Sequence, residues 1–180
     1  GRDMRQVRWG ILGAAKFARE HLAPAIVLAP GGTLAALATT SADKAAPFTD
    51  LAPGLRVHSR YEDLLADPDI DAVHVPLPNA LHVAWTLKAL AAGKHVLCEK
   101  PIAITAKEAT QLRKIRNVFV AEAFMVRHAT QWLAARDLVK KKAIGEVRAI
   151  QVLFSYFNRD PKNVRNKPDI GGGGLLDIGC

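Results

Sequence analysis

The stretch Val7-Arg8-Trp9-Gly10-Ile11-Leu12-Gly13-Ala14-Ala15-Lys16-Phe17-Ala18 decides the fold. Its first half is a short apolar run that ends at Gly13, and helical spacing follows through Phe17, Ala18, Leu22 and Ile26. A strand that passes through a glycine turn into a helix opens a strand–helix–strand unit. Pro24 should bend that helix, because its ring removes a donor and crowds the preceding turn. The turn occupies the place of the G-x-G-x-x-G fingerprint, with Ala15 and Ala18 at the second and third glycine positions. That fingerprint brings backbone close to a pyrophosphate at a helix N-terminus, where N–H groups and the helix dipole favour negative charge. Gly13, Ala14, Ala15, Lys16 and Phe17 are therefore candidate cofactor-binding residues. Ala18 is tolerated where only helix–strand packing is asked for, whereas the Ala15 methyl lies in the pyrophosphate's path. An ordinary tight strand–helix turn is the alternative reading.

The alternation continues outward from this unit. Thr33–Thr39 reads as a second strand, and Ser41 caps a segment reaching about Ala52 with Pro47 inside it. Ser59-x-x-Glu62 and Thr105-x-x-Glu108 read as capping boxes. Asn79 is placed to cap a helix that runs to Ala92 and stops at Gly93. Between them lie short apolar strands, Ala72–Val75, His95–Cys98 and Val118–Ala121, continuous in apolar character as expected where both faces are covered. Trp85 and Trp132 fall in apolar helix patterns and are expected in the core. The expected class is α/β, a Rossmann-type doubly wound parallel sheet. Near residue 123 the pattern changes to a helix at about Ala129–Lys142, a β-rich stretch Val147–Phe157 and a polar loop from Asn158 to Asp169. The organisation read is residues 1–123 as a dinucleotide-binding domain and 124–180 as the incomplete start of an α+β antiparallel-sheet domain.

Composition narrows the partners. The chain has 180 residues, 49% hydrophobic and 23% charged, which permits a sizeable core and excludes global disorder. Lys and Arg number 25 against 17 Asp and Glu, a formal charge of +8 that favours an anionic partner. The basic clusters Arg113-Lys114-Ile115-Arg116 and Lys140-Lys141-Lys142 lie near helix C-termini, where the dipole favours cations, and no aromatic–basic pattern accompanies them. Nucleic acid is therefore not expected. The 6 histidines and 2 cysteines show no paired ligand spacing, so no metal site is expected, and Cys98 reads as a buried strand thiol. No apolar run reaches the ~18 residues of a membrane span, and the N-terminus lacks a signal peptide's apolar stretch. A soluble cytoplasmic protein with no membrane partner is the expectation.

Ligands of doubly wound folds bind beyond the carboxyl ends of the strands, so the strand tips carry the remaining candidates. The second strand ends in Thr39-Thr40-Ser41 without the carboxylate that would hold an NAD ribose, and Lys44 follows. Hydroxyls and an amine there would accept a 2′-phosphate, favouring NADP over NAD; the alternative is that they are turn and cap residues. The fourth strand ends in Val75-Pro76-Leu77-Pro78-Asn79-Ala80-Leu81-His82, which should border the cofactor. His82 reads either as part of that border or as a partly exposed helix residue. The fifth strand ends in Cys98-Glu99-Lys100-Pro101. A lysine there projects into the same crevice, where a neighbouring cationic ring lowers its proton affinity and suits it to proton transfer; the alternative is a surface lysine.

These residues, with Gly10-Ile11-Leu12-Gly13, Gly93-Lys94-His95-Val96-Leu97, Glu122-Ala123-Phe124-Met125-Val126-Arg127 and Gly171–Gly174-Leu175-Leu176-Asp177-Ile178-Gly179, resemble the glucose–fructose oxidoreductase / inositol dehydrogenase (Gfo/Idh/MocA) family along essentially the whole chain. The resemblance implies that Lys100 is the catalytic lysine and Asp177 the substrate-site aspartate. It places Asn79, His82, Glu99 and Arg127 along the cofactor crevice. It implies hydride transfer between NAD or NADP and a sugar, polyol or related alcohol, with a homo-oligomer for the full-length form. Phe154-Ser155-Tyr156-Phe157-Asn158 and Asn163-Val164-Arg165-Asn166 look most like the NADP-dependent pentose and dihydrodiol dehydrogenase branch. The family's proton-transferring Tyr or His would stand one position beyond Cys180, and most of the sheet domain would follow, so this chain alone is expected to be inactive. A non-catalytic NAD(P)-binding sensor of the same fold is the alternative.

Overall fold

The computed structural model describes residues 6–167, Gly174 and Ile178. Strands β1 (Val7–Leu12), β2 (Gly32–Ala38), β3 (Arg56–His58), β4 (Ala72–Val75), β5 (His95–Cys98) and β6 (Val120–Glu122) form one sheet in the order β3-β2-β1-β4-β5-β6. Every neighbouring pair is parallel. The chain leaves β1 in one direction to build β2 and β3, then returns to β1's other side for β4, β5 and β6. The order reverses between β1 and β4, and a crevice opens there beyond the strands' carboxyl ends.

Period-two alternation sends adjacent side chains of β1 to opposite faces. Ile11 joins Leu37 with Ala23 and Ile26 of helix α1 (Ala23–Leu28) and Phe48 of α2 (Ala42–Leu51). Leu12 joins Val73 and Val96 with Leu64 of α3 (Tyr61–Ala66), Leu90 of α4 (His82–Ala91) and Leu112 of α5 (Ala106–Leu112). Two helical layers thus cover the sheet. β4 is buried at every position, while β5 alternates buried and half-buried. At Gly10 a Cβ would lie 2.7 Å from a Leu64 methyl, so this glycine lets α3 close on β1.

Several local expectations are corrected. The expected single first helix is divided: Pro24 falls at the start of α1, and a π-helical turn, Ala18–Leu22, precedes it. The Ala23 N–H reaches back to the Ala18 carbonyl, so the wider turn absorbs the place where a proline would clash. The capping box forms at Thr105 and Glu108 but not at Ser59, because α3 begins later, with Arg60 at its N-cap and no side-chain cap. Asn79 opens a short 3₁₀ turn (Asn79–Leu81) rather than capping α4.

The stretch 147–157 forms no strand; its side chains are exposed, and it has no ladder partner among the described residues. Helix α6 (Thr130–Lys140) has no buried residue, and Trp132 is 53% exposed rather than core, because the helix lies outside both apolar clusters that cover the sheet. Trp85 does pack against the core, edge-on to Tyr61 at 4.9 Å. Asp177 and most of the Gly171–Gly174 run lie outside the described residues.

Candidate functional site

At the β1/β4 reversal a cleft of about 470 Å³ is lined by Gly13, Ala14, Ala15, Thr39, Thr40, Ser41, Lys44, Pro76 and Leu77, and by Ser59, Arg60, Tyr61 and Glu62. Gly13 has φ +99°, a conformation side chains rarely adopt. A Cβ there would meet the Tyr61 hydroxyl at 3.2 Å and a Leu77 methyl at 3.4 Å. The bare backbone therefore leaves a cradle between Tyr61 and Leu77, directly before the helical run whose first backbone bond is Arg19 N–H to Ala15 O, 3.0 Å. A second, adjoining recess of about 350 Å³ is lined by Ala14, Ala15, Lys16, Arg19 and Lys44. Its three cations and Arg60 of the first cleft lie around the turn, with Glu20 2.9 Å from Arg19 and 4.0 Å from Lys16, and Glu62 3.9 Å from Arg60. These features fit a phosphate-bearing dinucleotide.

On the β2 side, Ser41 is the N-cap of α2, accepting the Lys44 N–H at 3.3 Å, and Thr39 Oγ1 accepts the Ser41 N–H at 3.2 Å. These hydroxyls thus close the turn, and they also line the cleft together with Lys44. Phe17 is 41% exposed and stacks on His21, outside the cleft.

The segment 59–62 was not foreseen as a wall. β3 is three residues long and mostly exposed, so it leaves no apolar run in the sequence. Once β3 is placed beside β2, the loop after it must also reach the carboxyl rim. The Glu62 carboxylate, accepting its own backbone N–H at the start of α3, is held below the ordinary carboxylate value.

The tips of β4 and β5 are organised by histidines. His82 is 1% exposed and lines nothing: its Nδ1 lies 2.6 Å from the Pro101 carbonyl and its Nε2 2.6 Å from the Leu77 carbonyl. Both sequence readings of His82, crevice wall and partly exposed residue, are therefore corrected. Glu99 turns toward the fully buried His74, with Oε1 3.0 Å from Nε2. Lys100 and Asn79 are half-buried at the same carboxyl rim but outside the 470 Å³ cleft, as is the exposed Pro78. The Lys100–Pro101 peptide is cis. Its loop is tied down by Ile102 N–H to Glu122 Oε1, 2.9 Å, and Glu99 N–H to the Val75 carbonyl, 3.1 Å. Arg127 is exposed on the 3₁₀ turn Met125–Arg127 after β6 and does not reach the cleft. Burial pushes the Cys98 thiol up to about 12, which makes it inert. Among the described residues no group of side chains is arranged to hold a metal ion, and no helix is long and apolar enough to cross a membrane.

The oxidoreductase-family model with an NAD-binding Rossmann fold matches residues 7–118, and the GFO/IDH/MocA C-terminal domain model matches 132–180. The chain belongs to the Gfo/Idh/MocA oxidoreductase family. An uncharacterized oxidoreductase of Rhizobium meliloti is 44% identical over 180 residues, covering 98% of this chain and 54% of that protein. A dTDP-3,4-didehydro-2,6-dideoxy-alpha-D-glucose 3-reductase of Streptomyces violaceoruber is 38% identical, covering 98% and 52%. The structure of a 3-ketoreductase from Actinomadura kijaniata, in complex with NADP and TDP-benzene, superposes with TM-score 0.87 at 36% identity over 97% of this chain and 55% of that one. The chain spans about half the length of the curated relatives it matches. Within this Gfo/Idh/MocA chain, the strand order, the glycine turn and the Lys100 tip share one rim of the sheet.

Proposed function

We propose that the full-length protein is an NADP-preferring oxidoreductase that moves a hydride between the nicotinamide cofactor and a carbonyl or secondary alcohol of a sugar, polyol or sugar nucleotide. The observation that carries this reading is the shared rim: the cradle at Gly13 opens beside β4, and Lys100 stands at the tip of β5, the next strand. Residues 1–123 would bind the cofactor, and the part beginning at 124 would supply the substrate side, including Asp177. The adenosine end would lie among Thr39, Thr40, Ser41 and Lys44, with Arg19 and Lys16 nearby. The diphosphate would cross Gly13, Ala14 and Ala15. Two relatives support the sugar class by name, a 1,5-anhydro-D-fructose reductase of Ensifer adhaerens and an NADP-dependent D-xylose 1-dehydrogenase of Haloferax volcanii.

A bound nicotinamide supplies the hydride acceptor for oxidation and the donor for reduction. Lys100 would hydrogen-bond the substrate oxygen and help the proton-transferring Tyr or His manage its proton, which goes to the carbonyl oxygen in reduction and leaves the hydroxyl in the reverse direction. Pro76 and Leu77 exclude water from the ring side of the crevice. The test is a fluorescence titration of the full-length protein with NADPH and NADH, followed by turnover on keto-sugars and aldoses. Tighter NADPH binding is expected, with activity that falls at least about 100-fold in Lys100→Ala while cofactor affinity stays within about threefold. Undiminished turnover in Lys100→Ala would end the assignment.

A further inference from the structure

His82 joins two loops that have no reason from the sequence to move together. Leu77, after β4, is part of the cofactor cleft wall. Pro101, after β5, is bonded directly to Lys100. The buried imidazole stands between them and contacts one carbonyl oxygen with each nitrogen, both at 2.6 Å. A backbone carbonyl can only accept, so a ring N–H donates across this bridge, and the tautomer decides which carbonyl receives it. The second tie between the same two strand tips, Glu99 N–H to the Val75 carbonyl, lies on the other side of Lys100. Lys100 is therefore flanked by bonds that fix both of its chain neighbours to the β4 tip.

We propose that His82 is a positioning residue for Lys100, a buried ring wedged between two carbonyls that sets the spacing between the cleft wall at Leu77 and the lysine after β5. The consequence for catalysis rests on the reading of Lys100 given above, whereas the latch itself does not. Without the ring, the bridge between the two carbonyls is lost and the two loops separate. The cradle at Gly13 and the cations near Lys44 belong to other strands and are not displaced. Loss of His82 should therefore misplace the amine more than it weakens cofactor binding.

The experiment uses the full-length protein with ¹⁵N-histidine labelling, and the variants His82→Gln and His82→Phe. In the wild type, NMR should show a ring N–H of His82 held in a hydrogen bond to a backbone carbonyl; a ring with no hydrogen-bonded N–H overturns the latch without needing any variant to fold. The rate at which an amine-directed acylating reagent modifies Lys100, mapped by mass spectrometry, should change at least threefold in His82→Gln, with exposed Lys107 unchanged. Equal rates overturn the positioning role. In turnover, His82→Gln should lose about tenfold or more in kcat with NADPH affinity within threefold, and His82→Phe more. An unchanged kcat in an enzyme whose Lys100→Ala variant is dead overturns the catalytic consequence. If the wild type turns over no sugar, the function reading fails, and the NMR and acylation results still decide the latch.

Discussion

Lys94 and Lys100 bracket strand β5 and lie on opposite rims of the sheet. Lys94 precedes the strand and is 7% exposed, its Nζ donating to the carbonyls of Asp67 at 2.6 Å and Ile70 at 2.8 Å. Lys100 follows the strand on the rim that carries the glycine turn. The two lysines of one motif thus stand in different surroundings, one satisfying buried carbonyls and the other half-buried at the carboxyl rim. Burial lowers the Lys94 ammonium's proton affinity, opposed by Asp67 and Asp71.

Lys94→Met should therefore destabilise the fold while Lys100→Ala does not. The substitution removes the Lys94 donor from the Ile70 carbonyl and leaves the Asp67 carbonyl only the Ile70 N–H at 3.3 Å, a loss of about 1–3 kcal/mol for each buried bond. For a chain of this size that lowers Tm by roughly 5–10 °C, against a shift within about 2 °C for Lys100→Ala. Thermal unfolding followed by circular dichroism gives both numbers, and equal shifts would contradict the division of labour.

Cofactor preference should follow Lys44. This lysine is exposed and lines the cleft with Thr39, Thr40 and Ser41, and the tip of β2 carries no carboxylate. Lys44→Ala should weaken NADPH binding about tenfold, the scale of a charge-assisted hydrogen bond of about 1.5 kcal/mol. NADH should change less than twofold, because it carries no 2′-phosphate. Titrations at two salt concentrations check this, with the NADPH loss shrinking at higher salt.

The sheet was legible because buried strands leave apolar runs: β1, β2, β4 and β5 all sit within a residue or so of their expected bounds. β3 left none, being short and exposed, and with it went Ser59, Arg60, Tyr61 and Glu62. The glycine turn could be read because the backbone conformation at Gly13 restricts the residue type. His82 could not be placed, since its partners are main-chain carbonyls of Leu77 and Pro101, and a carbonyl has no signature in a sequence. Arg127 was put at the crevice on resemblance alone, and its side chain is exposed beyond β6.

Acid stability should depend on Asp67. Burial pushes its carboxyl up, but the Asp69 N–H, His58 and Arg56 together hold it below its ordinary value of 3.8. A carboxylate lowered in the folded state stabilises above its unfolded value, and that contribution is lost as pH falls through the folded one. Asp67→Asn should be less stable than wild type at pH 7, by about 1–3 kcal/mol. The gap should close progressively below pH 3.8. Urea unfolding across pH 2.5–7 measures it; a gap independent of pH would show that packing, not charge, accounts for the loss.

Gly13→Ala tests the cradle itself. The φ of +99° strains any side chain, and the added methyl meets the Tyr61 hydroxyl at 3.2 Å and Leu77 at 3.4 Å. Tyr61 is braced edge-on against Trp85, so it cannot swing aside without disturbing the core, and Leu77 is held through its carbonyl by His82. The strain should cost about 1–3 kcal/mol of stability. The methyl would also fill the approach to the turn, so NADPH affinity should fall at least about tenfold even where the variant is folded. A Gly13→Ala protein with lowered Tm and undiminished NADPH affinity would show that the diphosphate does not cross this turn, and the cofactor site would have to be sought elsewhere on the rim.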